Sequence, residues 1–127
     1  MSQSETTAGL EPVVDSGVEQ LQRVEDERAV QELLDVLDDG DCRAILAATT
    51  DDALSASELS DRCGLPLSTT YRKIELLDDV GALAERTRFR PSGKHTSEYR
   101  RLLNSVFVSL DGSGGTELLV SMRDLEQ

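Results

Sequence analysis

The sequence predicts a small α+β domain, mainly helical, with a core of three short helices, a basic β-hairpin after them, and one further helix at each flank. Three observations predict it. From Val30 to Val80 apolar residues recur at three- and four-residue intervals, the period of amphipathic helices. From Leu83 to Arg90 the period changes to two and ends on Arg90-Pro-Ser-Gly93, whose Pro and Gly suit a type I turn. With 127 residues, 38% hydrophobic, 3% aromatic and no Trp, the chain has room for one core resting on Leu, Val, Ile and Ala.

Residues 1–26 are rich in Ser, Thr and acids without a sustained apolar period, so they are expected to be an acidic, disordered tail. Val30, Leu33, Leu34 and Leu37 then form one helical stripe that should stop near Gly40. A short helix follows at 41–49, with Asp41 placed to cap it and Ile45 and Leu46 facing inward. Ser55-Ala-Ser-Glu58 reads as a capping box for the next helix, which buries Leu59 and Cys63 and ends at Gly64. After Gly64-Leu-Pro-Leu67, Ser68 can cap a helix with Thr70, Ile74, Leu77 and Val80 on its inner side, closed by Gly81.

Two short helices joined by a three- or four-residue turn containing Gly make a helix-turn-helix, whose second helix can enter a major groove about 12 Å wide. The hairpin, Leu83–Leu102, supplies a wing, so residues 27–110 are expected to be a winged helix-turn-helix domain. Ser105–Leu110 reads as one more strand and Asp111–Gly115 as a turn. Glu117–Leu125 reads as a helix with the stripe Leu118, Leu119, Met122 and Leu125. So small a domain leaves that stripe little core to cover. Residues 111–127 are therefore assigned to homodimerisation, with Leu33 and Leu37 of the first helix as further contacts and folding back onto the same domain as the alternative.

Charge sharpens the reading. The chain carries 25 acidic and 13 basic residues, a net of −12, and only two of the basic residues are lysines. Dense carboxylates with few lysines suit a saline cytoplasm, where the Debye length near 1 M salt is only about 3 Å. Residues 62–101 nevertheless hold nine basic residues against five acidic ones. A cationic stretch inside an acidic chain points to a polyanion.

The run Gly64-Leu-Pro-Leu-Ser-Thr-Thr-Tyr-Arg-Lys-Ile-Glu-Leu-Leu-Asp-Asp-Val-Gly-Ala-Leu83 resembles the helix-turn-helix of archaeal winged-helix regulators related to the ArsR and MarR families. Asp41-Cys-Arg-Ala-Ile-Leu46 resembles the family's first core helix, Ser55–Gly64 its second, and Arg90-Pro-Ser-Gly-Lys-His-Thr-Ser-Glu-Tyr-Arg100 is similar to the wing of haloarchaeal members. The resemblance covers about residues 28–110 and implies DNA binding and transcriptional regulation. Metal-sensing ArsR relatives carry paired cysteines in the helix-turn-helix, whereas Cys63 stands alone here.

With Thr70, Ile74 and Leu77 inside, the helical period sends Ser68, Thr69, Tyr71, Arg72 and Glu75 outward, with Lys73 near the edge. Arg72 can read guanine, and Ser68, Thr69 and Tyr71 can bond phosphates or base edges. Tyr71 could instead be a partly buried aromatic, and Glu75 could pair with a neighbouring cation. Arg86, Arg88, Arg90 and Lys94 suit phosphates or a narrow minor groove, and His95 sits beside them as a solvent- or DNA-facing residue more than a metal ligand. The expected site is thus a cationic helix and hairpin side by side on an acidic body.

Other readings are weaker. A winged helix that docks an acidic protein of the transcription machinery is the alternative partner class. The chain has one His and no Gly-rich phosphate loop, Ser/His/Asp arrangement or HExxH, so neither catalysis, a cofactor nor a metal is expected. Cys42 and Cys63, 21 residues apart, form neither a CxxC pair nor a disulfide framework and read as core residues. The longest apolar runs fall far below the roughly 18 residues that span a bilayer, and a secretory apolar segment is absent, so a cytoplasmic protein is expected.

Overall fold

The computed structural model describes residues 18–124. Its elements run β1 (Val18–Val24), α1 (Glu27–Asp38), α2 (Gly40–Ala48), β2 (Leu54–Ser55), α3 (Ala56–Cys63), α4 (Leu67–Asp79), β3 (Leu83–Phe89), β4 (His95–Arg101), β5 (Leu103–Leu110) and β6 (Thr116–Arg123). The helix-turn-helix and wing expected from the sequence are present, making a winged helix-turn-helix fold. Strands, however, are nearly as prominent as helices, because two three-stranded antiparallel sheets form, ordered β2-β4-β3 and β1-β6-β5.

Local chemistry explains the helices. Asp26 caps α1 by accepting from the Ala29 N–H at 3.0 Å, and α1 buries Val30, Leu33 and Val36. Asp39, not Asp41, caps α2, accepting from the Asp41 and Cys42 N–H groups, so this helix starts one residue earlier than expected. The Ser55–Glu58 capping box forms as read: Ser55 Oγ accepts from the Glu58 N–H and Glu58 Oε1 from the Ser55 N–H at 2.8 Å. Gly64, at φ 68°, takes the left-handed conformation that turns the chain from α3 into α4. There Leu65 and Pro66 complete a tight link: the Leu65 N–H donates to the Ser60 carbonyl and the Ser60 hydroxyl to the Leu65 carbonyl.

Two expectations for the chain ends are overturned. Glu117–Leu125 is not a helix, since Thr116–Arg123 is β6, paired with both β1 and β5. Its apolar residues fit two periods, and the hairpin made with β5 selects the shorter one: Leu118 and Val120 are buried and Met122 packs on the core, while Leu119 is exposed. The tail expected over 1–26 also ends sooner, because residues 18–24 pair with β6 as an edge strand. Residues 1–17 of that tail, and Leu125, lie outside the described residues.

One core unites both sheets with the helices. Ile45, Leu59, Leu77 and Leu118 are among its fully buried side chains, with Cys42 beside them and Cys63 packed at its margin. Leu102 joins the sheets. Its N–H donates to the Ala82 carbonyl at 2.9 Å, and its own carbonyl accepts from the Arg123 N–H at 2.8 Å. Arg101 donates to the Leu103 and Asn104 carbonyls and to Thr50 Oγ1, and Arg123 donates to the Thr50 carbonyl at 2.7 Å, so the end of α2 is stitched to the same corner.

This burial corrects the assignment of Leu33 and Leu118 to a dimer interface: at 5% and 0% exposure they belong to the protomer's own core. Leu37 and Met122 also pack partly against it. Leu118→Ala should therefore lower the unfolding free energy by about 2–5 kcal/mol. Urea denaturation at several protein concentrations tests this, since an interface residue would give a loss that depends on concentration.

Candidate nucleic-acid interface

Helix α4 starts at Leu67 with Pro66 as its N-cap residue, and its first turn has no side-chain cap. Ser68, expected to cap, instead lies inside the first turn and is exposed. Thr70, the fourth residue of the helix, donates its hydroxyl back to the Pro66 carbonyl at 3.0 Å and is buried on the same side as Ile74 and Leu77. That anchoring determines the rest of the helix face. Ser68, Tyr71, Arg72 and Glu75 are exposed and Thr69 is half-buried. Tyr71, at 54% exposure, stands out in solvent, which overturns the alternative of a partly buried aromatic. The Arg72 guanidinium has no partner within the chain among the described residues.

Lys73 does not belong to this surface. Its side chain is only 13% exposed, and its ammonium bonds the Asp39 carboxylate, the same group that caps α2. One helical step from Arg72 swings the side chain toward the α1–α2 corner, so Lys73 ties the recognition helix to the body. The Lys73 bond holds the Asp39 carboxyl below the usual carboxylate range, with the α2 N–H groups helping.

The hairpin has two unlike faces. Pairing of Arg86 with Glu98 and Arg88 with Thr96 sets the arginines on one face; Glu85 with Tyr99, Thr87 with Ser97 and Phe89 with His95 make the other. Tyr99, on the arginine-free face, is buried, and that burial pushes its hydroxyl pKa up.

Arg88 is corrected from a DNA contact to a structural one. Its guanidinium donates to both Glu58 oxygens at 3.1 and 3.3 Å, to Glu98 Oε1 at 3.2 Å and to the Ala53 carbonyl at 3.4 Å. Glu98 is only 6% exposed, a buried carboxylate that needs this cation, and Arg86 adds a looser contact at 3.7 Å while its side chain stays 68% exposed. The sequence held the clue in Glu98, which falls opposite Arg86 once the strands are registered around the Pro-Ser-Gly turn.

At the turn the cations are unengaged. Arg90 and Lys94 are exposed, their side chains without partners among the described residues, while their backbones close the turn through an Arg90 N–H bond to the Lys94 carbonyl at 3.2 Å. His95 is exposed and meets Phe89 edge-on, ring centroids 4.7 Å apart. Phe89 itself is 73% exposed, so the tip carries an apolar ring beside two free cations. Of the ten residues expected at the interface, the solvent-facing set is thus Ser68, Thr69, Tyr71, Arg72, Arg86, Arg90, Lys94 and His95. Among the described residues no group of three or more His, Cys, Asp or Glu could hold a metal ion, and no helix is long and apolar enough to cross a membrane.

Arg88→Ala should destabilise the fold by leaving Glu98 short of its principal partner, a loss read as a lower urea midpoint. Glu58 gives a pH signature. Arg88 first, then the Ser55 N–H, pulls its carboxyl down from 4.5 to about 2. Between those values the unfolded chain holds the extra proton, so this contribution is complete above about 4.5 and disappears as pH falls toward 2. Glu58→Gln should flatten the acid limb of the stability curve relative to the parent, and the side chain's 43% exposure keeps the difference modest.

Comparison with known proteins bears on the fold. Residues 37–86, from the end of α1 to the middle of β3, match the family model described as a helix-turn-helix domain. No curated protein sequence matches the chain significantly. Among solved structures, NolR from Sinorhizobium fredii superposes with a TM-score of 0.50 at 16% identity, over 58% of this chain and 69% of that one. Reduced HlyU from Vibrio cholerae N16961 gives 0.49 at 24% identity, over 58% and 73%. The homodimeric winged helix-turn-helix DNA-binding domain of Mb0332 from Mycobacterium bovis, a possible ArsR-family transcriptional regulator, gives 0.49 at 19% identity, over 58% and 64%. The match of residues 37–86 and the likeness to NolR speak for the fold, a winged helix-turn-helix.

Proposed function

We propose that the chain is a sequence-specific DNA-binding transcription regulator of the ArsR/MarR-like kind, working as a homodimer in a saline cytoplasm. Residues 27–110 carry the DNA contacts. The observation that carries the reading is the pairing state of the cations. In a chain of net charge −12, Arg72 on α4 and Arg90 and Lys94 on the turn after β3 remain exposed and unpaired among the described residues. Cations left free amid so many carboxylates suit an external polyanion.

In this reading α4 enters the major groove with Arg72 reading guanine through its planar fork, while Ser68, Thr69 and Tyr71 bond base edges or phosphates. Arg90, Lys94 and His95 contact the flanking backbone or minor groove, and Arg86 lies at the rim. Lys73 and Arg88 hold the two DNA-contacting elements in place from behind. Because molar salt removes most counterion-release affinity, base contacts carry a large share of discrimination, and the acidic remainder repels misoriented duplex.

Footprinting of genomic fragments across a KCl series tests the proposal. Arg72→Ala should weaken the specific site about 10- to 100-fold while changing random-sequence binding little. Arg90→Ala and Lys94→Ala should weaken all sequences together, each reducing the log–log salt slope by about 0.9. Arg88→Ala should leave that slope unchanged. Absence of any discrete protected site would overturn the reading in favour of a protein-docking winged helix.

A further inference from the structure

Phe89 is exposed where the fold has no use for an apolar ring. It closes β3 and pairs with His95, the first residue of β4, so it stands at the far end of the wing. The face it shares with Glu85 and Tyr99 is buried at Tyr99, and the hairpin runs about 13 Å past the Glu85–Tyr99 pair before it turns. Of the two Phe and two Tyr residues in the chain, Phe89 is the most exposed. His95 meets it edge-on and braces it. Arg90 follows it directly and Lys94 precedes His95, so two cations without partners among the described residues flank the ring, one on each strand. The tip is already shaped: the Arg90 carbonyl accepts from the Gly93 N–H at 2.9 Å, and Gly93 takes φ 87°.

Charge and shape together select an occupant. An apolar ring between two free cations fits a ligand with anionic rails on either side of an apolar stack. A duplex groove has that form, with phosphates at its edges and stacked bases between them. An anionic bilayer offers related chemistry, but one ring and two cations bury too little apolar area to hold a membrane surface. We infer that Phe89 is a base-step wedge. Its ring enters the minor groove beside the α4 site, Arg90 and Lys94 bind the phosphates on either side, and partial insertion between two base pairs kinks the duplex. Apolar wedges of this kind bend DNA by about 20–90° toward the major groove. Unstacking is easiest at TA and CA/TG steps, so Phe89 adds selectivity through deformability, at a step where it donates no hydrogen bond. Arg90 and Lys94 lose counterion-release affinity as salt rises, whereas an inserted ring neutralises no phosphate and keeps its contribution.

This role rests on the DNA-binding reading and deepens it. The probe is a pool of short duplexes with a randomised centre, from which those bound by the full chain are recovered and sequenced. Bending of the recovered duplexes is read by energy transfer between end labels. TA or CA/TG should be enriched at a fixed distance from the other recognised bases, and the end labels should draw together on binding. Phe89→Ala should erase that enrichment, leave the duplex straight and weaken binding about 10-fold. Its salt slope and far-ultraviolet circular dichroism spectrum should match the parent's. Phe89→Leu, still an apolar wedge, should keep the bend, and Arg90→Ala should keep the step preference while lowering the salt slope by about 0.9. Enriched sequences that are the same, and equally bent or unbent, with the parent and with Phe89→Ala would overturn the wedge and leave the DNA-binding reading standing. A pool without any enriched sequence would overturn both. Phosphatidylserine vesicles that bind the parent but not Phe89→Ala, with the duplex left straight, would assign the ring to a membrane surface and overturn the wedge.

Discussion

The Glu58 carboxylate is the point on which the arrangement of helix-turn-helix and wing depends. One of its oxygens closes the capping box at the start of α3, and both accept from Arg88 on β3. Arg88 in turn holds Glu98 on β4, so a single cation joins the first helix of the motif to both long strands of the wing. A hairpin of two strands is marginal by itself in water. Here its base is clamped to α3 by charge-assisted bonds and extended by β2, which pairs Leu54 with Tyr99 and Ser55 with Glu98. Ser55 therefore serves as strand, helix cap and neighbour of the buried acid at once, which is why β2 needs only two residues.

A second tie acts on the other flank of the recognition helix. Asp39 caps α2 while holding Lys73, so the α1–α2 corner and α4 share one carboxylate. Both ties use a carboxylate that already satisfies backbone N–H groups at a helix start, where the helix dipole favours negative charge. Each then recruits a cation from a distant element. In an acidic chain this economy has a consequence for the surface. Three of the basic residues clustered in 62–101, Lys73, Arg88 and Arg101, become internal fasteners, and the ones left unpaired among the described residues stand on the outer face of α4 and at the wing turn.

The C-terminal sheet is joined to this unit through hydrogen bonds more than charge pairs. Leu102 exchanges bonds with Ala82 and Arg123, while Arg101 and Arg123 fan over the carbonyls of Leu103, Asn104 and Thr50. Burial of Leu118 and Val120 then merges this sheet into the helical core. The same pleat that sends those residues inward leaves Leu119 and Phe107 outward, so a sheet that completes the protomer also carries its most apolar exposed strand.

Local chemistry made the central part of the molecule readable from residue order alone. A capping box, a left-handed glycine, helical stripes and a Pro-Ser-Gly turn act over a few residues, and each produced the element expected of it, from α1 to β4. The amphipathic phase of α4 also placed Ser68, Tyr71 and Arg72 outward correctly. What residue order left undecided were choices made by distant partners. Leu118, Leu119 and Met122 satisfy a helix and a strand equally, and only pairing with β5 and β1 selects the strand. Residues 18–24 have too little pattern to order themselves and become β1 because β6 offers an edge. Arg88 and Lys73 look like their neighbours Arg90 and Arg72 in sequence, and only the tertiary approach of Glu58, Glu98 and Asp39 turns them inward. Periodicity determines which faces are apolar and which are polar, whereas the partner of an individual charge or strand edge depends on which remote groups folding brings within a few ångströms.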